Sequence, residues 1–423
     1  MTGKALMSPE EAARIVREHI RPGRVECVRL EDALHRTLAE AVACDVDYPP
    51  FDRALMDGYA VRADDVRAAP VTLKVVGDIA AGHAPLGAVG PGEAMRINTG
   101  APVPPGADAI VRVEDTAAED GGRAVRILKS ATTGQFITPQ ASYVRAGDMT
   151  LSAGMRLGPL EIAVAATSGA AKVCVYAAPR VAIVVTGDEL IEPGRKPFGA
   201  QIRNSNAPLL TALVREAQAI PIMTISVRDV PGEIRAAIGE ALERCDVLCL
   251  TGGVSAGEYD FVPGIVAELG CRTHFHKVAI KPGRPTLFAT SPGGQGVFGL
   301  PGNPISAFIG FHLFVAEALA RLQGHAAATH RTLSARLIGR LPEAGARCSF
   351  IPAKLTCDAA GAWRASPQPW QGSGDPFGMA GADALIVREA GTTAATDGSI
   401  VTVRLLPHWT CVGEDRNADG ERE

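Results

Sequence analysis

The stretch VLCLTGGVSAGEYDF, Val247–Phe261, joins an apolar run to a glycine-containing loop that also carries acids. The run Val247–Leu250 is apolar at every position, as is typical of a strand buried on both faces of a parallel sheet. Glycines let a backbone approach a ligand closely, whereas the carboxylates of Glu258 and Asp260 repel an anionic ligand. The question is therefore which ligand could bind a loop that contains both glycines and carboxylates.

The same pattern recurs between residues 180 and 323, where apolar runs alternate with helical stretches. The predicted strands are Val181–Val185, Ile220–Val227, Val247–Leu250 and Val297–Leu300. The predicted helices between them include Asn206–Ala217 and Glu233–Glu243. This βαβα order predicts an α/β domain with a parallel-rich sheet that helices cover on both faces.

The length of 423 residues and the changes in local composition along the chain predict several domains. Outside the α/β segment, short β-like runs separated by proline- and glycine-rich turns predict two small β domains. The expected domains are a helical linker domain (8–47 and 146–178), a β-rich domain (48–145), the α/β domain (179–328), a C-terminal β domain (329–410) and a charged, disordered tail (411–423).

The linker segments carry helix-start signals. Ser8 is predicted to cap a helix that begins at Pro9, with Glu11 completing a capping box. Helical structure is expected over most of residues 8–45 and again over residues 154–175.

Composition and charge disfavour several functions. The net charge is −4 and the pI is near 6.2, without the basic bias of a nucleic-acid-binding protein. The most apolar segment, Ile305–Leu322, contains three titratable side chains and is predicted to be a buried helix, not a membrane span. The N-terminus shows no signal-peptide pattern. The nine cysteines include no Cys-x-x-Cys pair, which predicts reduced thiols in a cytoplasmic protein, with Cys245 and Cys249 packed in the core.

Three of the predicted strands end in glycine-containing loops, and ligands of open parallel sheets bind beyond the carboxyl ends of strands. The loops are Thr186-Gly187-Asp188-Glu189, Thr251-Gly252-Gly253-Val254-Ser255 and Leu300-Pro301-Gly302-Asn303-Pro304. Asn303 is predicted to cap the next helix and Pro304 to begin it, which leaves backbone N–H groups for a phosphate. The alternative is that these glycines only form turns, since no loop matches a P-loop or a dinucleotide fingerprint.

A basic segment follows at residues 276–285, HKVAIKPGRP. If the segment is a strand, its period of two places Lys277 and Lys281 on one face. Together with Arg284 they are candidates to hold an oxyanion, although a solvated edge strand has the same pattern. His274 and His276 share the alternation and are expected on an exposed face.

The acids of the glycine loops suggest a metal. Mg²⁺ is commonly held by carboxylates and phosphate oxygens together. Glu189 and Asp260 leave two strand ends of the same sheet edge and are the candidate Mg²⁺ ligands. The competing interpretation is that these acids only cap helices.

Seven motifs, in order along the chain, make it similar to one family, the molybdopterin molybdenumtransferases, called MoeA in bacteria and the E domain in gephyrin. The similarity covers residues 8–407. The motifs are PPFDRALMDGYAVR from Pro49, RINTGAPVPPGADAIV from Arg96, VVTGDEL from Val184, IRNSN from Ile202, LTGGVSAGEYDF from Leu250, KVAIKPGRP from Lys277 and GLPGNPISA from Gly299.

The resemblance implies a homodimer with an inter-subunit active site, and possible further contacts with other proteins of molybdenum cofactor synthesis or use. It implies that adenylylated molybdopterin and molybdate are the substrates and that Mg²⁺ supports cleavage of the adenylate, giving molybdenum cofactor and AMP. Molybdate is a dianion, which lysines and hydroxyls suit. By position, the catalytic acids are Asp57, Asp260 and Glu189, with Thr99 nearby, and the groups facing molybdate or phosphate are Lys277, Lys281, Ser306, Ser373 and Arg347.

The chain departs from the family pattern at three places. Arg53 stands where an asparagine is usual, Tyr143 where an acid is usual, and Pro352 where a Phe-x-Arg motif ends. These departures favour an alternative, a non-catalytic paralogue that binds the pterin or acts as a scaffold. A plain molybdopterin adenylyltransferase is a further alternative, but the MDGYA and RINTGAPVP segments disfavour it.

Overall fold

The computed structural model describes residues 6–254, 261–325 and 331–407, and the chain divides into two compact units. The larger unit contains Met1–Glu26, His35–Thr37 and Val175–Glu423, and the smaller unit contains Cys27–Leu34 and Leu38–Cys174. Ser255 and Asp260, predicted as site residues, and the tail 411–423 lie outside the described residues.

A six-stranded sheet forms the centre of the larger unit. Its strands, in spatial order, are Ile220–Val227, Arg180–Thr186, Val247–Thr251, Gly296–Leu300, Leu287–Thr290 and Arg272–His276. The first four are parallel, which confirms the predicted α/β domain. The last two are antiparallel additions at one edge, and the sequence pattern did not predict them.

Helices cover both faces of this sheet, so its strands are apolar at successive positions. Val181, Ile183 and Val185 pack into one core, whereas Ala182 and Val184 pack into the core on the opposite face. Each fully buried aliphatic side chain of this size contributes about 1.5–3 kcal/mol. The covering helices are Pro9–His19, Asn206–Glu216, Pro231–Arg244, Val262–Glu268 and Pro304–Gly310, the last continuing through the π-helical Phe311–Val315 into Ala316–Leu322.

The first and last of these helices confirm two predictions. Ser8 Oγ accepts a hydrogen bond from the Glu11 N–H (3.1 Å), and Pro9 is the first helical residue. Among the described residues, Pro304–Leu322 is the one helix long and apolar enough to cross a membrane, and most of it is buried. It packs in the main core of the larger unit, as predicted for a buried helix.

The C-terminal part of the larger unit is a closed barrel. Its strands are Thr332–Leu337, Cys348–Cys357, Trp363–Pro367, Ala384–Arg388 and Ile400–Leu405. The barrel closes because Cys348–Cys357 pairs with both Trp363–Pro367 and Ala384–Arg388. The short strand Ile280–Lys281 joins it by parallel pairing with Cys348 and Ser349. Two further short strands of the larger unit, Leu190–Ile191 and Ile202–Arg203, pair with each other.

The smaller unit contains its own six-stranded sheet. Its strands, in spatial order, are Ala109–Arg112, Gly58–Val61, Glu93–Ile97, Val71–Ile79, Ala124–Ile127 and Thr116–Glu119. Shorter pairs join Arg53–Ala54 to Ile137–Thr138 and Val42–Ala43 to Met149–Leu151. Its helices are Pro159–Thr167 and the 3₁₀ turns Leu30–Asp32, Ala63–Val66, Val113–Asp115 and Asp120–Gly122.

The linker segments are less helical than predicted. Beyond Pro9–His19 and Pro159–Thr167 they contain a pair of strands, Val25–Arg29 and Lys172–Tyr176. β-branched valines recur in both strands and favour extended structure. The prediction of helix over these residues was therefore wrong.

A disulfide joins these two strands and corrects a second prediction. Cys27 and Cys174 are bonded although 147 residues separate them in the sequence, so the expectation that the cysteines are all reduced was wrong. Cys245 and Cys249 are free and buried, as predicted for packing residues. Burial raises the pKa of the Cys245 thiol to about 12 and raises that of Cys249 further.

Candidate functional site

Three glycine-containing loops meet at the carboxyl edge of the parallel sheet. A Cβ added to Gly252 would lie 2.3 Å from the Thr186 carbonyl oxygen, and a Cβ on Gly302 would lie 3.8 Å from the Gly252 Cα. Gly252 has a φ of +93°, which side chains rarely adopt. Gly253, next to it, has a φ of +58°. The structure thus brings together Thr186, Gly252 and Gly253, and at Gly252 the close approach of the Thr186 carbonyl excludes a side chain. We call Thr186, Gly252, Gly253 and Gly302 the glycine cradle.

Asn206 holds the glycine cradle together, and the sequence analysis assigned it no role. Its Nδ2 donates to Thr251 Oγ1 (3.0 Å) and to the Gly302 carbonyl (2.6 Å). Thr251 Oγ1 in turn donates to the Pro301 carbonyl (3.1 Å). The available signal was an asparagine at the start of a helix within IRNSN, but its partners are distant in the sequence.

Two buried polar atoms at the glycine cradle have no hydrogen-bond partner among the described residues. They are Thr186 Oγ1 and Asn206 Oδ1, and both residues are less than a tenth exposed. Buried polar groups in folded proteins are nearly always satisfied. The partner we expect for each is a ligand group or an ordered water.

The start of the Pro304–Gly310 helix contacts the barrel through Ser373. Asn303 occupies the N-cap position and Pro304 the first helical position, as predicted. The Asn303 side chain makes no capping hydrogen bond, and its Nδ2 donates to Ser373 Oγ (2.8 Å). The Ser373 carbonyl accepts from the Ile305 N–H (3.1 Å). The predicted capping role of the Asn303 side chain is therefore wrong, while Ser306 in the first turn is only 3% exposed.

The basic segment after residue 276 is not one continuous strand. The strand ends at His276, and Lys277 has a φ of +94°, which is incompatible with a regular strand. Within this segment Ile280–Lys281 is the part in a ladder, so the condition for placing Lys277 and Lys281 on one face of a single strand is not met. Burial still alternates, with Val278 and Ile280 buried and Lys281 exposed. Arg347 is another predicted anion ligand. Its Nη1 donates to the carbonyl of Ile280 (3.4 Å), the residue next to Lys281.

Lys281 also lines a groove of about 370 Å³ on the barrel. Its other lining residues include Ser349, Phe350, Gln368, Trp370 and Arg388. The side of the groove at Lys281 is thus formed by the short strand that joins the barrel.

The two histidines before this segment are not exposed-face residues. His276 Nε2 lies 2.8 Å from the Val254 carbonyl, next to the glycine cradle loop. His274 Nε2 lies 2.9 Å from Thr290 Oγ1, and burial lowers the pKa of His274 to about 4. The prediction of exposure failed because the antiparallel edge strands were not foreseen.

In the smaller unit, Asp57 and Thr99 form a compact pair. Asp57 Oδ1 accepts from the Thr99 N–H (2.6 Å) and from Thr99 Oγ1 (2.8 Å). These two bonds, backbone first, hold the pKa of Asp57 below its ordinary value, and the charge of Arg96 acts in the same direction. Asp57 Oδ2 has no donor among the described residues. Asp57 is therefore an exposed carboxylate that stays charged, and its Oδ2 is available to bind a ligand.

Glu189, the predicted metal ligand, is exposed and follows the Gly187 turn. A Cβ on Gly187 would lie 2.8 Å from Glu189 Oε2. Across the described ranges, no group of three or more His, Cys, Asp or Glu is arranged for a metal ion. Mg²⁺ normally takes one or two carboxylates and completes its shell with phosphate and water. Of the two predicted Mg²⁺ ligands, Glu189 is described and Asp260 lies outside the described residues.

The positions that depart from the family pattern have structural roles here. Arg53 pairs with Thr138 in the short antiparallel ladder of the smaller unit. The Tyr143 ring lies 6.0 Å from the ring of Tyr48, and Pro352 pairs with Leu385 inside the barrel.

Comparison with known proteins gives consistent matches over most of the chain. The matching families are described as MoeA N-terminal region (domain I and II), over residues 7–169, Probable molybdopterin binding domain, over 182–321, and MoeA C-terminal region (domain IV), over 334–406. The molybdopterin molybdenumtransferase of Bacillus subtilis (strain 168) is 36% identical over 403 residues, 94% of this chain and 93% of that protein. The protein of the same name from Nostoc sp. is 37% identical over 390 residues, 90% of this chain and 89% of that protein. A solved structure, the molybdopterin biosynthesis MoeA protein from Pyrococcus horikosii, matches with a TM-score of 0.82 at 32% identity, covering 95% of this chain and 99% of that chain.

Proposed function

This chain belongs to the MoeA family of molybdopterin molybdenumtransferases, and we propose that it inserts molybdenum from molybdate into adenylylated molybdopterin with release of AMP. Its family places it among the transferases of molybdenum cofactor biosynthesis. The observation that carries the proposal is the glycine cradle, whose buried Thr186 and Asn206 atoms have no partner among the described residues.

The glycine cradle supplies the binding surface in this proposal. Backbone at Gly252 and Gly253 can approach a pterin phosphate closely because neither residue has a side chain. Thr186 Oγ1 is a neutral donor that a phosphate oxygen satisfies. Ser255 follows in the same loop, outside the described residues, and we assign it a further hydroxyl contact.

The cationic side chains supply the molybdate contacts. Lys277, Lys281 and Arg347 carry positive charge within one segment and its barrel neighbour, and charged donors bind an oxyanion more strongly than neutral ones. Ser373, held against Asn303, adds a hydroxyl from the barrel. We place molybdate among these groups.

Mg²⁺ is the proposed metal. Glu189 and Asp260 are its proposed protein ligands, Asp260 lying outside the described residues. The ion would neutralise charge that develops as the phosphoanhydride breaks. Asp57 is the third proposed acid, either as a further metal ligand or as the acceptor that orients a water. In both roles it must be ionised, which the Thr99 bonds favour.

We further propose a cytoplasmic homodimer whose active site takes residues from both subunits, as the family resemblance implies. Mixing Asp57→Ala subunits with Lys281→Ala subunits tests this arrangement. If the two residues act across the interface, mixed dimers regain one working site and part of the activity. Activity that stays as low as in either variant alone contradicts the shared site.

The direct test is AMP release. The protein is incubated with adenylylated molybdopterin, molybdate and Mg²⁺, beside an active relative such as the Bacillus subtilis enzyme. We expect AMP in stoichiometric amount with a product that reconstitutes a molybdenum-dependent apoenzyme. No AMP from this chain, while the relative works, contradicts the proposal.

The second candidate is a pterin-binding paralogue without turnover, which the departures at Arg53, Tyr143 and Pro352 favour. It predicts that adenylylated molybdopterin binds without AMP release. Growth rescue of a cell that lacks its molybdenumtransferase would exclude it.

A further inference from the structure

A turn of the barrel, residues 371–380, is organised around one carboxylate. Asp375 Oδ2 accepts from the Gln371 N–H (2.9 Å), and Oδ1 accepts from the N–H groups of Phe377 and Gly378 (both 3.1 Å). These bonds, that from Gln371 first, lower the pKa of Asp375 from its ordinary value. Asp375 therefore holds both ends of the turn as a charged acceptor.

The turn is rich in glycine and also contains Pro376. It contains Gly372, with a φ of +108°, as well as Gly374 and Gly378, and glycine loses more freedom on folding than other residues. Gly378 lies against Trp370, since a Cβ there would be 2.5 Å from the Trp370 Cβ. The three bonds to the Asp375 carboxylate act together with backbone hydrogen bonds inside the turn, such as that from the Asp375 N–H to the Gly372 carbonyl (3.1 Å).

The middle of the same turn contacts the edge of the glycine cradle. Ser373 accepts from Asn303 through its hydroxyl and from the Ile305 N–H through its carbonyl. Asn303 follows Gly302, whose carbonyl Asn206 holds. A continuous set of contacts thus leads from Asp375 through Ser373 to the glycine cradle.

We propose that Asp375 is a positioning residue for the reaction, which sets Ser373 against the start of the Pro304–Gly310 helix and so fixes the barrel side of the substrate site. This inference rests on the proposed function. Asp375 contacts no reacting group in this account and acts only through the turn.

Kinetics of two substitutions test the proposal. Asp375→Ala removes all three acceptor bonds, and we expect kcat/KM to fall about 10- to 100-fold, mainly through KM, because small displacements of positioning groups have effects of this size. Asp375→Asn keeps one acceptor oxygen and should recover part of the loss.

The matched control is Asp358→Ala. Asp358 also accepts from two backbone N–H groups, of Ala360 and Ala362, in another turn of the barrel. We expect its kcat/KM to stay within about twofold of the wild type, as for most surface changes. Equal losses in the Asp358→Ala and Asp375→Ala variants would overturn the proposal.

Amide hydrogen exchange at Ile305 gives a readout that needs no activity. With isotope-labelled isoleucine, Asp375→Ala should speed exchange of the Ile305 N–H about fivefold, because loss of one hydrogen bond is worth about 1 kcal/mol. Asp358→Ala should leave it unchanged. An unchanged Ile305 rate in Asp375→Ala overturns the positioning role even if the wild type proves inactive, whereas an inactive wild type with the expected exchange pattern contradicts only the proposed function.

Discussion

The glycine cradle of the larger unit and the Asp57 loop of the smaller unit present polar groups in opposite ways. At the cradle, Thr186 and Asn206 are neutral and buried, with exposures of 4% and 6%. In the loop, Asp57 is charged and exposed, and Thr99 keeps it charged. Rigid neutral groups suit binding, whereas an ionised, accessible carboxylate suits metal or water chemistry. Binding and turnover should therefore be separable by substitution.

The largest expected effect is that of Asp57→Ala. We expect kcat to fall by at least about 100-fold, the usual range for removal of an acid or base, while adenylylated molybdopterin still binds with unchanged affinity. Calorimetric binding and AMP release on the same preparation measure the two quantities.

Asp64→Ala is the control for this change, because Asp64 is an exposed acid of the same unit that forms an ion pair with Arg67. Surface pairs of this kind contribute little, so its kcat should be normal. If Asp57→Ala also abolishes binding, the separation between the two regions is wrong.

Gly252→Ala should have the reverse effect, on binding. The added Cβ would meet the Thr186 carbonyl at 2.3 Å, at a φ of +93°. Backbone strain of this kind costs about 1–3 kcal/mol, and the clash displaces the glycine cradle. The dissociation constant for adenylylated molybdopterin should rise at least about tenfold.

Gly239→Ala provides the comparison. Gly239 lies within the Pro231–Arg244 helix and a Cβ there meets nothing within 4 Å. Alanine should stabilise the helix by about 0.5–1 kcal/mol and leave binding unchanged. If Gly252→Ala binds adenylylated molybdopterin with wild-type affinity, the glycine cradle is not part of the binding site.

A smaller effect is expected on pH dependence. The Thr99 hydroxyl stabilises the charged form of Asp57 and so lowers its pKa. Thr99→Val removes that bond, the pKa of Asp57 rises toward its ordinary value, and Asp57 gains its proton at higher pH. The acid limb of the kcat profile should therefore shift to higher pH.

Thr116→Val is a suitable reference for the pH profile, since the Thr116 hydroxyl donates to the Val113 carbonyl and to no carboxylate among the described residues. Its profile should match the wild type. If the acid limb of the kcat profile lies at the same pH in Thr99→Val as in the wild type, a group other than Asp57 controls it.

The smallest effect on turnover is expected for the disulfide. Cys27→Ser should leave turnover unchanged, while lowering the free energy of unfolding of the smaller unit by about 2–4 kcal/mol, a typical value for a bond that closes a long loop. Denaturant unfolding with and without reductant measures this. Equal stability of variant and wild type without reductant would show that the bond is absent in solution.

Local patterns were sufficient where burial alone decides the structure. The apolar run at Val247–Leu250 and the cap at Ser8 were predicted from neighbouring residues, and both are present. Prediction from the sequence failed where the local structure depends on a residue or strand far away along the chain. The strand Val25–Arg29 depends on pairing with Lys172–Tyr176, and the Cys27 bond depends on the same pairing.

The candidate site shows the same division. The glycine loops were recognisable because glycine after an apolar strand is a local signal. The role of Asn206 depends on contacts with Thr251 and Gly302, and the engagement of Asn303 depends on Ser373. No local pattern contains these tertiary hydrogen bonds.

A single-turnover experiment tests the central claim most directly. The wild type and Asp57→Ala are loaded with adenylylated molybdopterin, freed of unbound ligand, and then mixed with molybdate and Mg²⁺. We expect both to carry the ligand and only the wild type to release one AMP for each bound molecule. Release at equal rates from both proteins, or none from the wild type, would contradict the account.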